Sequence, residues 1–261
     1  MTAFYLPVRP GVLQSTEHTV GPWADTDQHA GPPSALLVRA LESALPADGG
    51  WLARVCVDLL GPVPVKELEV VARVVRPGRS VQLAEAELAV EGRPVARAAG
   101  WWHRGGDTAA VATAAVATGP AAAEPADLPE PRPDEGHWSG GYLRAMEWRW
   151  VRGHFTEPGP ATVWTRMRMP LVEGEEPTAT QRVLVAADSG NGASSALEPG
   201  SWLFVNTELT VHLLRPPTGE WVCLDAATEI GPTGGGLAVS LLSDAAGPVG
   251  QGAQALLVRP R

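Results

Sequence analysis

"GPPSALLVRALESAL", residues 31–45, decides the fold. At helical spacing its apolar side chains, Ala35, Leu36, Leu37, Val38, Leu41 and Leu45, leave almost no polar face. A helix of that kind must be buried on most of its circumference. What can bury it follows in the chain. "GGWLARVCVDLL" (49–60), "LEVVARVVR" (68–76), "SVQLAEAELAV" (80–90) and "RPVARAAGWWH" (93–103) read as strands. Pro77-Gly78 and Glu91-Gly92 supply turns between them. One buried helix followed by an antiparallel meander that wraps it is the hotdog arrangement. A plain β-sandwich would not need such a helix.

The order then repeats. "PTATQRVLVAA" (177–187) reads as a second apolar helix. After it come "GSWLFVNTELTVHLLR" (200–215), "EWVCLDAATEI" (220–230), "GLAVSLLSD" (236–244) and "PVGQGAQALLV" (248–258), with turns at Gly231-Pro232 and Ala246-Gly247. Trp51 matches Trp202 at an offset of 151, and Pro94-Val95 matches Pro248-Val249 at 154. The expected fold is therefore α+β, a double hotdog: a first repeat over 1–104, an Ala/Pro-rich linker over 105–135, and a second repeat over 136–261.

Bulk properties narrow the function. Among 261 residues, 44% are hydrophobic and the formal net charge is −9. Nucleic acid as main partner is disfavoured, because phosphate backbones need a basic surface. No run approaches the roughly 20 apolar residues of a membrane span, and no signal peptide is visible at the start. A soluble cytoplasmic protein without membrane partner is expected, and the Ala, Gly, Pro and Arg usage suggests a GC-rich bacterial genome. Cys56 and Cys223 lie in strand-like runs and read as small buried hydrophobes. No metal-ligand spacing occurs. Sheets of this type commonly associate edge to edge or back to back, which admits a homo-oligomer of double units.

One carboxylate stands out. In "AADSGNG" (186–192), Asp188 falls at the end of the second helix, with the glycines read as its stop signal. The helix dipole is negative there and disfavours an acid. The repeat offset sets Asp188 opposite Val38, so only one half keeps the acid. Apolar neighbours and a helix C-terminus both favour the protonated form of an acid, which can tune it as a general base near neutral pH.

"AADSGNG", "FVNTELTVHLLRPPTGEW" and "GPVGQGAQALLVR" in the second half, with "QHAGPPSALLVRALE" in the first, resemble the acyl-CoA thioesterase II family of double-hotdog enzymes. The resemblance covers most of the chain outside the linker. It implies hydrolysis of an acyl-CoA by a water held between an Asp at the end of the second-half helix, a Thr or Ser on the next strand and a Gln on the last strand. Asp188 and Gln254 match the first and last. The middle position falls on Asn206, an amide that can donate and accept but is no hydroxyl. Thr207, adjacent, is expected to face the other way. No metal or redox cofactor is implied.

For the oxyanion, "HAGPP" precedes the first helix, where free backbone N–H groups form an anion site. Pro32 and Pro33 have no N–H, so the donors are expected at His29, Ala30 or Gly31, with Gly31 letting an acyl carbonyl come close. The His29 side chain reads as a loop residue. Three further readings stay open: a hydratase or dehydratase of enoyl thioesters, which calls for a paired His and acid near the helix start and finds no carboxylate at the offset from His29 typical of such enzymes; a non-hydrolytic acyl-thioester binder; and a sugar-binding sandwich, disfavoured by the two buried helices. "RVVRPGRS" (73–80) reads as a solvated hairpin tip, with phosphate contact as the alternative. Arg144, Arg149, Arg152, Arg166 and Arg168 are equally available for phosphate.

Overall fold

The structure is a computed structural model and describes residues 3–113, 125–129 and 140–261. The first buried helix, α1 (Gly31–Ala44), begins at the Pro-Pro pair, where prolines cost no helical hydrogen bond. Leu36, Leu37, Val38 and Leu41 on it are fully buried. Each such side chain contributes roughly 1.5–3 kcal/mol by leaving water. Its one polar stripe is occupied by Arg39, paired with Glu175, and by Glu42.

The strands expected after α1 form as β3 (Gly50–Leu59), β4 (Glu67–Arg76), β5 (Val81–Val90) and β6 (Arg93–Arg104), and α1 packs across β4, β5 and β6. In the β5–β6 turn, Glu91 and Gly92 both take left-handed backbone angles, as a tight two-residue hairpin requires. The second helix, α3 (Ala179–Ala187), precedes β9 (Trp202–Asn206), β10 (Glu208–Leu213), β11 (Val222–Ile230), β12 (Gly235–Asp244) and β13 (Gly247–Pro260). The single strand expected over 200–215 is broken at Thr207: β9 and β10 pair with separate stretches of β13.

Two hairpins stand outside the repeat pattern read from sequence. β1 (Tyr5–Arg9) and β2 (Val12–Ser15) extend the sheet beyond β4, and β7 (Met146–His154) and β8 (Glu157–Met167) extend it beyond β11. A short helix, α2 (Gly141–Ala145), leads into β7. Among the described residues all the strands join in one 13-stranded sheet, because β3 pairs antiparallel with β10 at the middle. The helices α1 and α3 pack together against it.

The halves are also interleaved. Phe4 and Tyr5 donate backbone hydrogen bonds to Pro170 and Leu171, Glu173 donates back to Tyr5, and Tyr142 donates to Val20. Of the expected linker, 105–113 and 125–129 lie among the described residues. They carry single 3-10 turns at Ala109–Val111 and Pro125–Asp127. The remainder of 105–135 lies outside the described residues.

Candidate active site

The acid sits at a break between two helices. Thr178 caps the start of α3 by accepting from the Gln181 N–H at 3.1 Å. Asp188 closes α3 with helical backbone angles, and the chain turns at once into a second short helix, α4 (Gly190–Ala193). The glycines after Asp188 thus correct the expectation of a stop signal: neither Gly190 nor Gly192 has a positive φ. Gly190 is needed for closeness instead, since a Cβ there would overlap Ser240 Oγ. In the first half the matching stretch is one unbroken helix.

The break frees polar groups that a continuous helix would consume. Gln254, buried on β13, donates through Nε2 to the Asp188 main-chain carbonyl at 3.1 Å and to Asp188 Oδ1 at 3.3 Å. Its Oε1 accepts the Asn191 backbone N–H from α4 at 3.0 Å, which fixes the amide orientation. Asn206, the last residue of β9, donates through Nδ2 to Asp188 Oδ1 at 2.8 Å. Asp188, Asn206 and Gln254 therefore meet. The two amides grip the carboxylate directly, whereas from sequence they were expected to orient a water. The disfavoured position of the acid is offset by these donors, because a buried charge must be hydrogen-bonded.

The first half supplies what the sequence had not revealed. The His29 ring, just before α1, places Nδ1 3.0 Å from Asp188 Oδ2. His29 is thus no mere loop residue, and its carboxylate partner is Asp188, from the other half. Its ring stacks on Tyr142 of α2, centroids 3.7 Å apart and planes 9° from parallel. The Tyr142 hydroxyl is bonded to the Val185 carbonyl and Ser189 Oγ, each at 2.8 Å. Burial lowers the His29 pKa below its usual value, against the opposing pull of Asp188. Burial raises that of Tyr142, helped by Asp188. Both rings are held neutral near pH 7. The Asp188 side chain keeps 4% exposure and that of His29 14%, so what access exists is mainly at the imidazole.

The backbone donors before α1 divide. The His29 N–H is spent on the Thr19 carbonyl at 2.8 Å, so it cannot serve an oxyanion. The Gly31 N–H points at His29 Nδ1, 3.1 Å away. The Ala30 N–H meets no acceptor among the described residues. Gly31 is required for a reason different from the one expected: a Cβ there would overlap the Val185 carbonyl of α3, so it lets the two helices touch.

The first half has no such site. Val38 lies in the apolar core. Ala84 pairs with Gly100 as Ala238 pairs with Gln254, at the same offset of 154. The space over Gly100 is filled by Leu52 and Leu41, 2.8 and 2.9 Å from where a Cβ would stand. Among the described residues no cluster of three or more His, Cys, Asp or Glu could hold a metal, and no helix is long and apolar enough to cross a membrane. Several arginines offered for phosphate are engaged: Arg149 and Arg166 with Glu147, Arg152 with Asp225, and Arg73 with Glu85.

Comparison with known proteins identifies both halves of the chain. Residues 19–103 match the acyl-CoA thioesterase N-terminal domain and residues 120–258 the acyl-CoA thioesterase C-terminal domain. Among curated proteins, none matches this sequence. Among solved structures, a hotdog-fold protein of unknown function from Alicyclobacillus acidocaldarius superposes with a TM-score of 0.77 at 15% identity, over 95% of this chain and 92% of that one. The acyl-CoA thioesterase II of Mycobacterium marinum superposes with a TM-score of 0.69 at 14% identity, over 98% and 96%. At such identities the likeness speaks for the fold.

Proposed function

Since the chain belongs to the acyl-CoA thioesterase family by both of its domains, we propose that it hydrolyses an acyl-CoA thioester to the free acid and coenzyme A. The observation that carries this reading is the carboxylate of Asp188, held on Oδ1 by Asn206 and Gln254 and on Oδ2 by His29. Thioester hydrolysis needs a negative charge to stabilise the proton leaving water, and donors for the oxyanion that forms as water adds. Asp188 supplies the charge. The Ala30 N–H, at the positive end of α1, supplies a donor for the oxyanion. The water oxygen bonds to the carbonyl carbon as its proton passes to the site, the C–S bond breaks with its electron pair on sulfur, and that proton goes on to the leaving thiolate.

A panel of acyl-CoAs with a colorimetric thiol reagent tests the proposal. Thiol release is expected from the native protein. With Asp188→Asn, which keeps the shape and removes the charge, release should fall by about 10²–10⁴-fold, the usual weight of acid–base catalysis. Unchanged release from that variant removes Asp188 from the reaction. The pairing of His29 with Asp188 favours one second reading, addition or loss of water across an enoyl thioester, for which a His and an acid share the proton transfers. Loss of enoyl absorbance without thiol release in the same panel would select it.

A further inference from the structure

Resting on the hydrolase reading, we infer that the atom receiving the proton of the attacking water is Nε2 of His29, with Asp188 as the positioning residue that holds the opposite ring nitrogen. The sequence pattern put that role on Asp188 itself. Hydrogen-bond capacity argues otherwise. A carboxylate offers about four acceptor sites. Asn206 and Gln254 take both on Oδ1, and His29 takes one on Oδ2. What remains of the carboxylate is 4% exposed, against 14% for the imidazole.

The tautomer follows from charge. Two groups compete for His29 Nδ1: Asp188 Oδ2 at 3.0 Å and the Gly31 N–H at 3.1 Å. If Nδ1 accepted from Gly31, its lone pair would face a carboxylate oxygen. If Nδ1 carries the hydrogen, it donates to an anion, a bond roughly twice as strong as a neutral one. The hydrogen therefore belongs on Nδ1, and Nε2 of the neutral ring keeps its lone pair. Among the described residues Nε2 has no hydrogen-bond partner and is not among the sealed polar atoms.

The ring cannot turn away. It is clamped over Tyr142, whose hydroxyl is bonded to Val185 and Ser189, on either side of Asp188 in the chain. The titratable groups facing it are Asp188, from the end of α3, and the Tyr142 phenol, from α2. Burial lowers the imidazole pKa, so it waits neutral. When water adds to the thioester carbonyl, its oxygen bonds to carbon and its proton passes to Nε2. The imidazolium is neutralised by Asp188. On collapse the C–S bonding pair leaves with sulfur, and Nε2 returns the proton to the thiolate.

Two measurements test this. Nitrogen-15 NMR of the native protein should show His29 protonated at Nδ1 and bare at Nε2 at neutral pH, with or without activity. A hydrogen on Nε2 overturns the inference. In kinetics, His29→Gln, which can still donate to Asp188, should lower kcat by about 10²–10⁴-fold with KM little changed. It should also erase the fall in kcat/KM that the native protein shows on acidification through the imidazole pKa. His29→Ala should regain part of its rate with added imidazole. Native kcat in His29→Gln, or an acid limb that persists in it, overturns the inference. If the native protein releases no thiol from any acyl-CoA, the hydrolase reading fails, and the nitrogen-15 result still decides whether His29 is poised as a base.

Discussion

Gly31 shows how tightly the site depends on single atoms. Its missing Cβ lets α1 reach the Val185 carbonyl, and the same contact brings His29 to Asp188. Gly31→Ala should cost about 1–3 kcal/mol, the usual price of overpacking, and should depress thiol release because the two halves of the site separate. Urea denaturation read beside the thiol assay checks both. His29 also links stability to pH. Its folded pKa lies below the unfolded value of about 6.5, so the unfolded chain binds more protons across that window. Stability from this group is present above about pH 6.5 and falls as pH drops toward the folded pKa. Denaturant titrations between neutral and mildly acidic pH should show that loss, and His29→Gln should flatten it. The partnership itself was invisible in sequence, because a His before one helix and an Asp after another share no local spacing. Asp188 and Gln254 were legible through the family pattern and the lone acid of a duplicated plan.

At the level of elements, the interface between α1 and α3 is fastened by Glu42, which accepts from Gln181 Nε2 at 2.7 Å and from Thr178 Oγ1 at 2.9 Å. Burial raises the Glu42 pKa, opposed by those two bonds. Thr178 both caps α3 and ties it to α1, so Thr178→Ala should destabilise by about 1 kcal/mol from the cap, with the loss of the Glu42 bond added. A thermal melt of the variant measures it. The helices and the strands β3–β6 and β11–β13 were legible because burial on one face imposes period-two alternation and burial all round imposes an apolar helix. The hairpin β7–β8 was not. Its register slips between Trp150 and Arg152 and again between Arg152 and His154, which breaks the alternation. β8 opens with Glu157-Pro158-Gly159-Pro160, turn-like residues that precede its pairing with β11 at Ala161, where missing ladder donors are tolerated. The break at Thr207 was equally hidden, since each side of it alternates correctly.

For the whole molecule, pairing of β3 with β10 and the contacts of Phe4 and Tyr5 with Pro170, Leu171 and Glu173 make the repeats one cooperative body. Denaturation followed by tryptophan fluorescence and by far-ultraviolet circular dichroism should give coincident single transitions. Separated transitions would mean that the repeats unfold independently. The two repeats also divide their labour. Where the second lodges Gln254 against a broken helix, the first has Gly100 beneath Leu41 and Leu52, with no room for a polar side chain. The second repeat carries the polar cluster and the first fills the matching place with apolar side chains, although the imidazole of the cluster comes from the first. Despite the internal duplication, a tight-binding thioester mimic should therefore saturate at one equivalent per polypeptide, and calorimetric titration counts it directly.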